Sequence, residues 1–138
     1  MKPSPGQCVC ATLRKAARSI TQIYDAALRP SGLRATQFYI MVELRGSGEA
    51  TVGQLAQRAV LDQTTLTRSL ALLERDGLIR TVPKPDGRLK SVALTQKGER
   101  TLAEALPLWF AVQQRMIAAI GEPAWASLSV ELNKLAQL

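Results

Sequence analysis

Between residues 51 and 94 the spacing of apolar side chains changes from three-and-four to two, and this change constrains the fold more than any other feature. The stretch opens on Thr51-Val52-Gly53-Gln54. A threonine followed three places later by glutamine is a capping box: the hydroxyl accepts from an orphan helix amide, and the Gln side chain reaches back to the Thr amide. Val52, Leu55, Ala56 and Ala59 then give a short helix one apolar face. A second helix is expected almost at once. Asp62 is its N-cap, Leu61 staples onto Leu66, the buried stripe is Leu66, Leu70 and Leu73, and Gly77 is the stop. Two short capped helices joined by a tight turn read as a helix-turn-helix.

After Gly77 strands are expected near 78–82 and 90–94, around Asp86-Gly87. Asp-Gly between alternating apolar residues is a strong hairpin signal, because glycine takes the positive φ of a tight turn without steric cost. Pro83 and Pro85 stiffen this hairpin, and Lys84, Arg88 and Lys90 make it cationic. A cationic hairpin directly after a helix-turn-helix is a winged helix. With the leucines of the second helix inward, Gln63, Thr64, Thr67 and Arg68 point out near its N-terminus. Arginine can take guanine bidentately, glutamine can take adenine, and threonine can donate to phosphate or touch a thymine methyl. The same residues also suit an ordinary solvated helix end; the hairpin beside them favours DNA. Arg88 is the side chain best suited to a narrow groove.

Apolar helices flank this unit. The first, 10–29, spaces Leu13, Ala16, Ala17, Ile20, Ile23, Tyr24, Ala27 and Leu28 along one stripe and stops before Pro30. A second covers 35–45, with Phe38, Met41 and Val42 inward. A long helix capped by Thr95 carries Leu102, Leu106, Trp109, Val112, Met116 and Ile120. Pro107 should kink it, at a cost of roughly 3 kcal/mol if the helix runs straight through. Pro123 opens a last helix bearing Trp125, Leu128, Leu132 and Leu135. The expected architecture is a single domain, mainly α with a small β-hairpin wing: a winged helix-turn-helix between N- and C-terminal helices.

Charge and composition narrow the function. The net charge of +7 is uneven: residues 1–50 and 51–100 each carry +4, whereas 101–138 carry −1. A polyanion such as double-stranded DNA is the natural partner of the first two thirds. The chain has no histidine, which removes imidazole metal sites and the commonest general base. Cys8 and Cys10, its two cysteines, cannot close a zinc site alone. These absences, with no phosphate-binding loop, count against an enzyme, and no cofactor or metal is expected. No apolar run approaches the roughly 18 residues of a membrane helix. The N-terminus lacks the apolar run of a signal peptide, so a short loose arm on a cytoplasmic protein is expected, with no membrane partner.

The segments "LAQRAVLDQTTLTRSLALLERDGLI", "DGR" and "VALTQKG", with "AARSITQIYDAALRPSGLRATQFYIM" upstream, resemble the MarR family of bacterial winged-helix transcription regulators over roughly residues 8–138. The resemblance implies that Arg88 of the wing enters a minor groove with Asp86 orienting it. Recognition-helix contacts would fall among Gln63, Thr64, Thr65, Thr67 and Arg68, with Lys90 beside them on the hairpin. It also implies an obligate homodimer, with dimerisation helices in 10–34 and 106–138 around a DNA-binding lobe at 35–105. Two such lobes would read a pseudo-palindromic operator, usually to repress. The apolar flanking helices agree, since a monomer would struggle to cover them.

The resemblance further implies a sensor for a small aromatic or anionic effector, here lined by Arg18, Tyr24, Phe38, Met41 and Trp109. Aromatic and Met residues at helical spacing also serve as core. Cys8 and Cys10 lie where peroxide-sensing members, the OhrR group, place a reactive cysteine. A helix N-terminus with Arg14 and Lys15 nearby could lower a thiol pKa. Those sensors pair the thiol with tyrosines; Tyr24 matches one, but Phe38 stands where the other is expected. Both thiols would alternatively be small apolar fillers of the dimer interface. A final alternative keeps the winged helix as a protein-interaction module without DNA binding.

Overall fold

The computed structural model describes residues 2–59, 61–85 and 89–138. Among these residues six α-helices and three short strands follow in the order α1 (Val9–Leu28), α2 (Ala35–Ser47), β1 (Ala50–Thr51), α3 (Val52–Ala59), α4 (Gln63–Arg75), β2 (Ile79–Val82), β3 (Ser91–Leu94), α5 (Gln96–Ile120) and α6 (Glu122–Leu135). This is the mainly α winged helix expected from the spacing. Val82 is where β2 ends and Ser91 where β3 begins, close to the expected strands. Asp86, Gly87 and Arg88, which come between them in sequence, lie outside the described residues.

Buried leucines draw the elements around α2, whose Ile40, Met41 and Leu44 are fully enclosed. Leu28 of α1, Leu55 of α3, Leu66 and Leu73 of α4, and Leu102 of α5 join them in one core cluster. Helix ends are closed as their sequences dictate. The Thr51 amide donates to Gln54 Oε1 at 2.9 Å, and the Gln54 amide donates to Thr51 Oγ1 at 3.2 Å. Thr95 Oγ1 accepts from the Gly98 amide at 3.0 Å to start α5. The corner between α1 and α2 is tied across elements: the Ala35 amide donates to Asp25 Oδ1 of α1 at 2.7 Å.

The sheet is antiparallel in the order β1-β3-β2. Ser91 sits opposite Thr51 on one side and Val82 on the other. Strand β1 was not expected, because two residues cannot display a period. Helix α5 does not end at Pro107 but continues to Ile120. Pro107 has no amide hydrogen, so the Ala103 carbonyl one turn back loses its helical donor. Proline is tolerated there on a solvent-exposed side.

The flanking helices are sparsely covered. Every residue in 9–22 is exposed, and only Tyr24 and Leu28 of α1 are buried. Helix α6 buries no residue at all. Val9, Leu13, Ile20, Phe110, Leu128, Val130 and Leu135 are all open to solvent. Among the described residues, no helix is long and apolar enough to cross a membrane.

Candidate nucleic-acid interface

Helix α4 presents its polar face because its apolar face is fully used. Leu66 and Leu73 have no exposure, and Leu70 is buried beside them. The opposite side therefore shows Gln63, Thr64, Thr67 and Arg68 to solvent, as the leucine spacing requires. Together with Ala71 these four line one open, shallow concavity. Ala71 was not singled out from the sequence, although it lies four residues after Thr67 and so shares its face. Arg75, one turn further, is also exposed and pairs with Asp76 at 3.2 Å.

Thr65 stands apart from its neighbours. Its amide donates to Asp62 Oδ1 and its hydroxyl donates to Asp62 Oδ2, both at 2.8 Å. Asp62 thus closes the N-terminus of α4 with both carboxylate oxygens. The backbone amide of Thr65, and then its hydroxyl, hold the Asp62 carboxyl below the usual aspartate range.

The C-terminus of α4 is fixed to the start of α5. Thr95 Oγ1 donates to the Gly77 carbonyl at 2.6 Å, and Lys97 Nζ donates to the Asp76 carbonyl at 2.8 Å. Gly98 is pressed against the turn, where a Cβ would lie 2.1 Å from the Leu78 carbonyl oxygen. The hairpin leaves the sheet beside α4 with Arg80 and Lys90 exposed and Leu89 almost wholly so. Lys84, counted from sequence among the outward cations, is instead partly buried and paired with Glu49. Asp86 and Arg88, the two expected wing residues, lie outside the described residues.

The residues expected to line an effector pocket divide. Phe38 and Met41 are buried in the core, with Trp109 stacked on Phe38 at 6.0 Å between ring centroids. Arg18 is exposed on α1, away from any such enclosure. Tyr24 is buried and its hydroxyl donates to the Gln113 side chain; burial raises its pKa, as it does that of Tyr39. Tyr24 and Gln113 border a cavity of about 70 Å³ between α1, α5 and α6. That cavity is smaller than an aromatic ring needs, which is on the order of 150 Å³. An open polar hollow of about 410 Å³, lined by Asp25, Arg29 and Arg34 among others, lies at the α1–α2 corner and was not foreseen. Cys8 and Cys10 are free and exposed at the start of α1.

Comparison with known proteins agrees with this geometry. Residues 31–89 match the family model described as "MarR family". The crystal structure of the M. tuberculosis transcriptional regulator MosR in complex with DNA is 41% identical. It superposes with a TM-score of 0.86 over 95% of both chains. A Bacillus cereus HTH-type transcriptional regulator is 33% identical over 92 residues, 67% of this chain and 61% of that relative. The Pseudomonas putida HTH-type transcriptional repressor IacR is 28% identical over 79 residues, 56% of this chain and 47% of its own. The chain thus spans about three fifths of the Bacillus cereus relative's length. The chain belongs to the MarR family of winged-helix transcriptional regulators.

Proposed function

We propose that the chain is a sequence-specific DNA-binding repressor that acts as a homodimer in the cytoplasm and has no enzymatic activity. Each copy offers α4 to a major groove and the β2–β3 hairpin to the minor groove beside it. Two copies read a pseudo-palindromic operator with half-sites about one duplex turn apart. One observation carries the reading: Gln63, Thr64, Thr67 and Arg68 share the exposed face of a helix whose other face is buried leucine. The likeness to MosR in its DNA complex supports DNA as the partner, and the likeness to a named repressor supports the direction of control.

Fluorescence anisotropy with the DNA upstream of this protein's own gene tests it, for wild type, Arg68→Ala and Arg88→Ala at two salt concentrations. Wild type is expected to bind tightly and to weaken steeply with salt, since phosphate contacts release counterions. Arg88→Ala is expected to bind less tightly. Arg68→Ala should cost about 1–3 kcal/mol and relax preference at one position per half-site. If no duplex binds even at low salt, the winged helix is a protein-interaction module instead.

A second reading, control by thiol oxidation, is favoured by the exposure of Cys8 and Cys10 at the start of α1. Peroxide added to the same assay should release wild type but not the Cys8→Ser, Cys10→Ser double variant; equal release of both removes the thiols from the mechanism. Small aromatic acids added in parallel test release by an effector.

A further inference from the structure

Three ion pairs occur among the described residues, and two of them join close neighbours in sequence: Arg75 with Asp76, and Lys134 with Glu131. The third, Lys84 with Glu49, joins residues 35 apart in the chain. Lys84 follows β2 and Glu49 precedes β1, and these strands lie on opposite sides of β3. The pair therefore crosses the sheet from one outer strand to the other. Both side chains are partly shielded, with Lys84 27% and Glu49 41% exposed.

The backbone explains why a side chain is needed here. The β2–β3 ladder ends at Val82 opposite Ser91. Pro83 and Pro85 bracket Lys84, and neither can donate a backbone hydrogen bond to extend the ladder. Among the described residues, Lys84 with Glu49 is the one side-chain hydrogen bond or ion pair made by the hairpin beyond Val82. A partly exposed pair contributes little to global stability, so its consequence lies in direction rather than in folding.

We propose that Glu49 is a positioning residue of the DNA interface. It withdraws Lys84 from phosphate binding and uses it to fix the angle at which the wing leaves the sheet. This rests on the DNA-binding reading above. It also means that a count of hairpin cations overstates the phosphate contacts by one.

The test compares wild type, Glu49→Gln and Lys84→Met on two probes, the tightest duplex selected from a random library and the unselected library itself. Salt is varied for each. Both variants should lose about tenfold in preference for the selected duplex, the scale of one base contact. Lys84→Met should keep the wild-type dependence of log K on log salt, because Lys84 holds no phosphate. Glu49→Gln should steepen that dependence by about 0.9, as the freed lysine finds one. A Lys84→Met slope shallower by about 0.9 overturns the proposal, because Lys84 is then a phosphate contact in the wild type.

Hydrogen exchange on the free proteins gives a readout that needs no DNA. Amides in 80–82 and 89–92 should exchange faster in Glu49→Gln than in wild type while those of α2 and α5 stay unchanged; equal exchange there overturns the anchor. If wild type binds no duplex, the DNA reading fails, and exchange still decides whether Glu49 holds the hairpin.

Discussion

Asp62 does two things with one carboxylate, capping the amide of Thr65 and holding its hydroxyl. Because that hydroxyl's proton is committed, Thr65 can meet a base only as an acceptor or through its methyl group, whereas Thr64 and Thr67 lie on the exposed face. The cap also leaves a signature in pH. The carboxyl is held below its ordinary value in the folded chain, so its contribution is fully present above the unfolded aspartate value. It is lost as pH falls through the lowered folded value. Thermal unfolding across the acid range should show this for wild type. Asp62→Asn, which caps comparably, should retain most of the neutral-pH stability without that acid-side loss, and Asp62→Ala should melt lower throughout. Identical melting of Asp62→Ala and wild type at neutral pH would mean that the cap does not support α4.

At the scale of elements, the turn after α4 and the first turn of α5 meet closely at Gly98. Gly98 permits it, since any Cβ would collide with the Leu78 carbonyl, which is backbone and cannot swing aside. Gly98→Ala is expected to lower stability by about 1–3 kcal/mol through displaced packing, measured by urea unfolding. A variant as stable as wild type would show that the joint has slack. Nothing in the sequence announces this contact: a glycine in a helix's first turn reads only as a weak helix former. The same division runs through the whole fold. The Thr51–Gln54 box, the Asp62 and Thr95 caps and the α4 leucines were legible because each is settled within one or two turns of chain. So was the outward face of α4, which is the complement of its leucines. Strand β1, the Asp25 bond to Ala35 and the Lys84–Glu49 pair were not, because each joins segments that only the tertiary fold brings together.

For the whole molecule, the exposed apolar residues of α1, α5 and α6 set the expectation. Val9, Leu13, Ile20, Phe110, Leu128, Val130 and Leu135 lie on three helices outside the winged lobe, more apolar surface than a lone chain comfortably leaves open. Sedimentation at micromolar concentration should give a dimer, and Leu13→Glu with Leu128→Glu should shift it toward monomer. A monomeric wild type would leave those helices without their assigned role. The joint at Gly98 then acquires a mechanical meaning. Helix α5 has 25 residues, and its first turn is bonded directly to the end of α4. At 1.5 Å per residue it is a beam of about 37 Å, so a tilt of about 5° at its far end swings the near end by roughly 3 Å. Successive base pairs are about 3.4 Å apart, so a rotation too small to unpack any core would carry each reading head nearly one letter along the duplex.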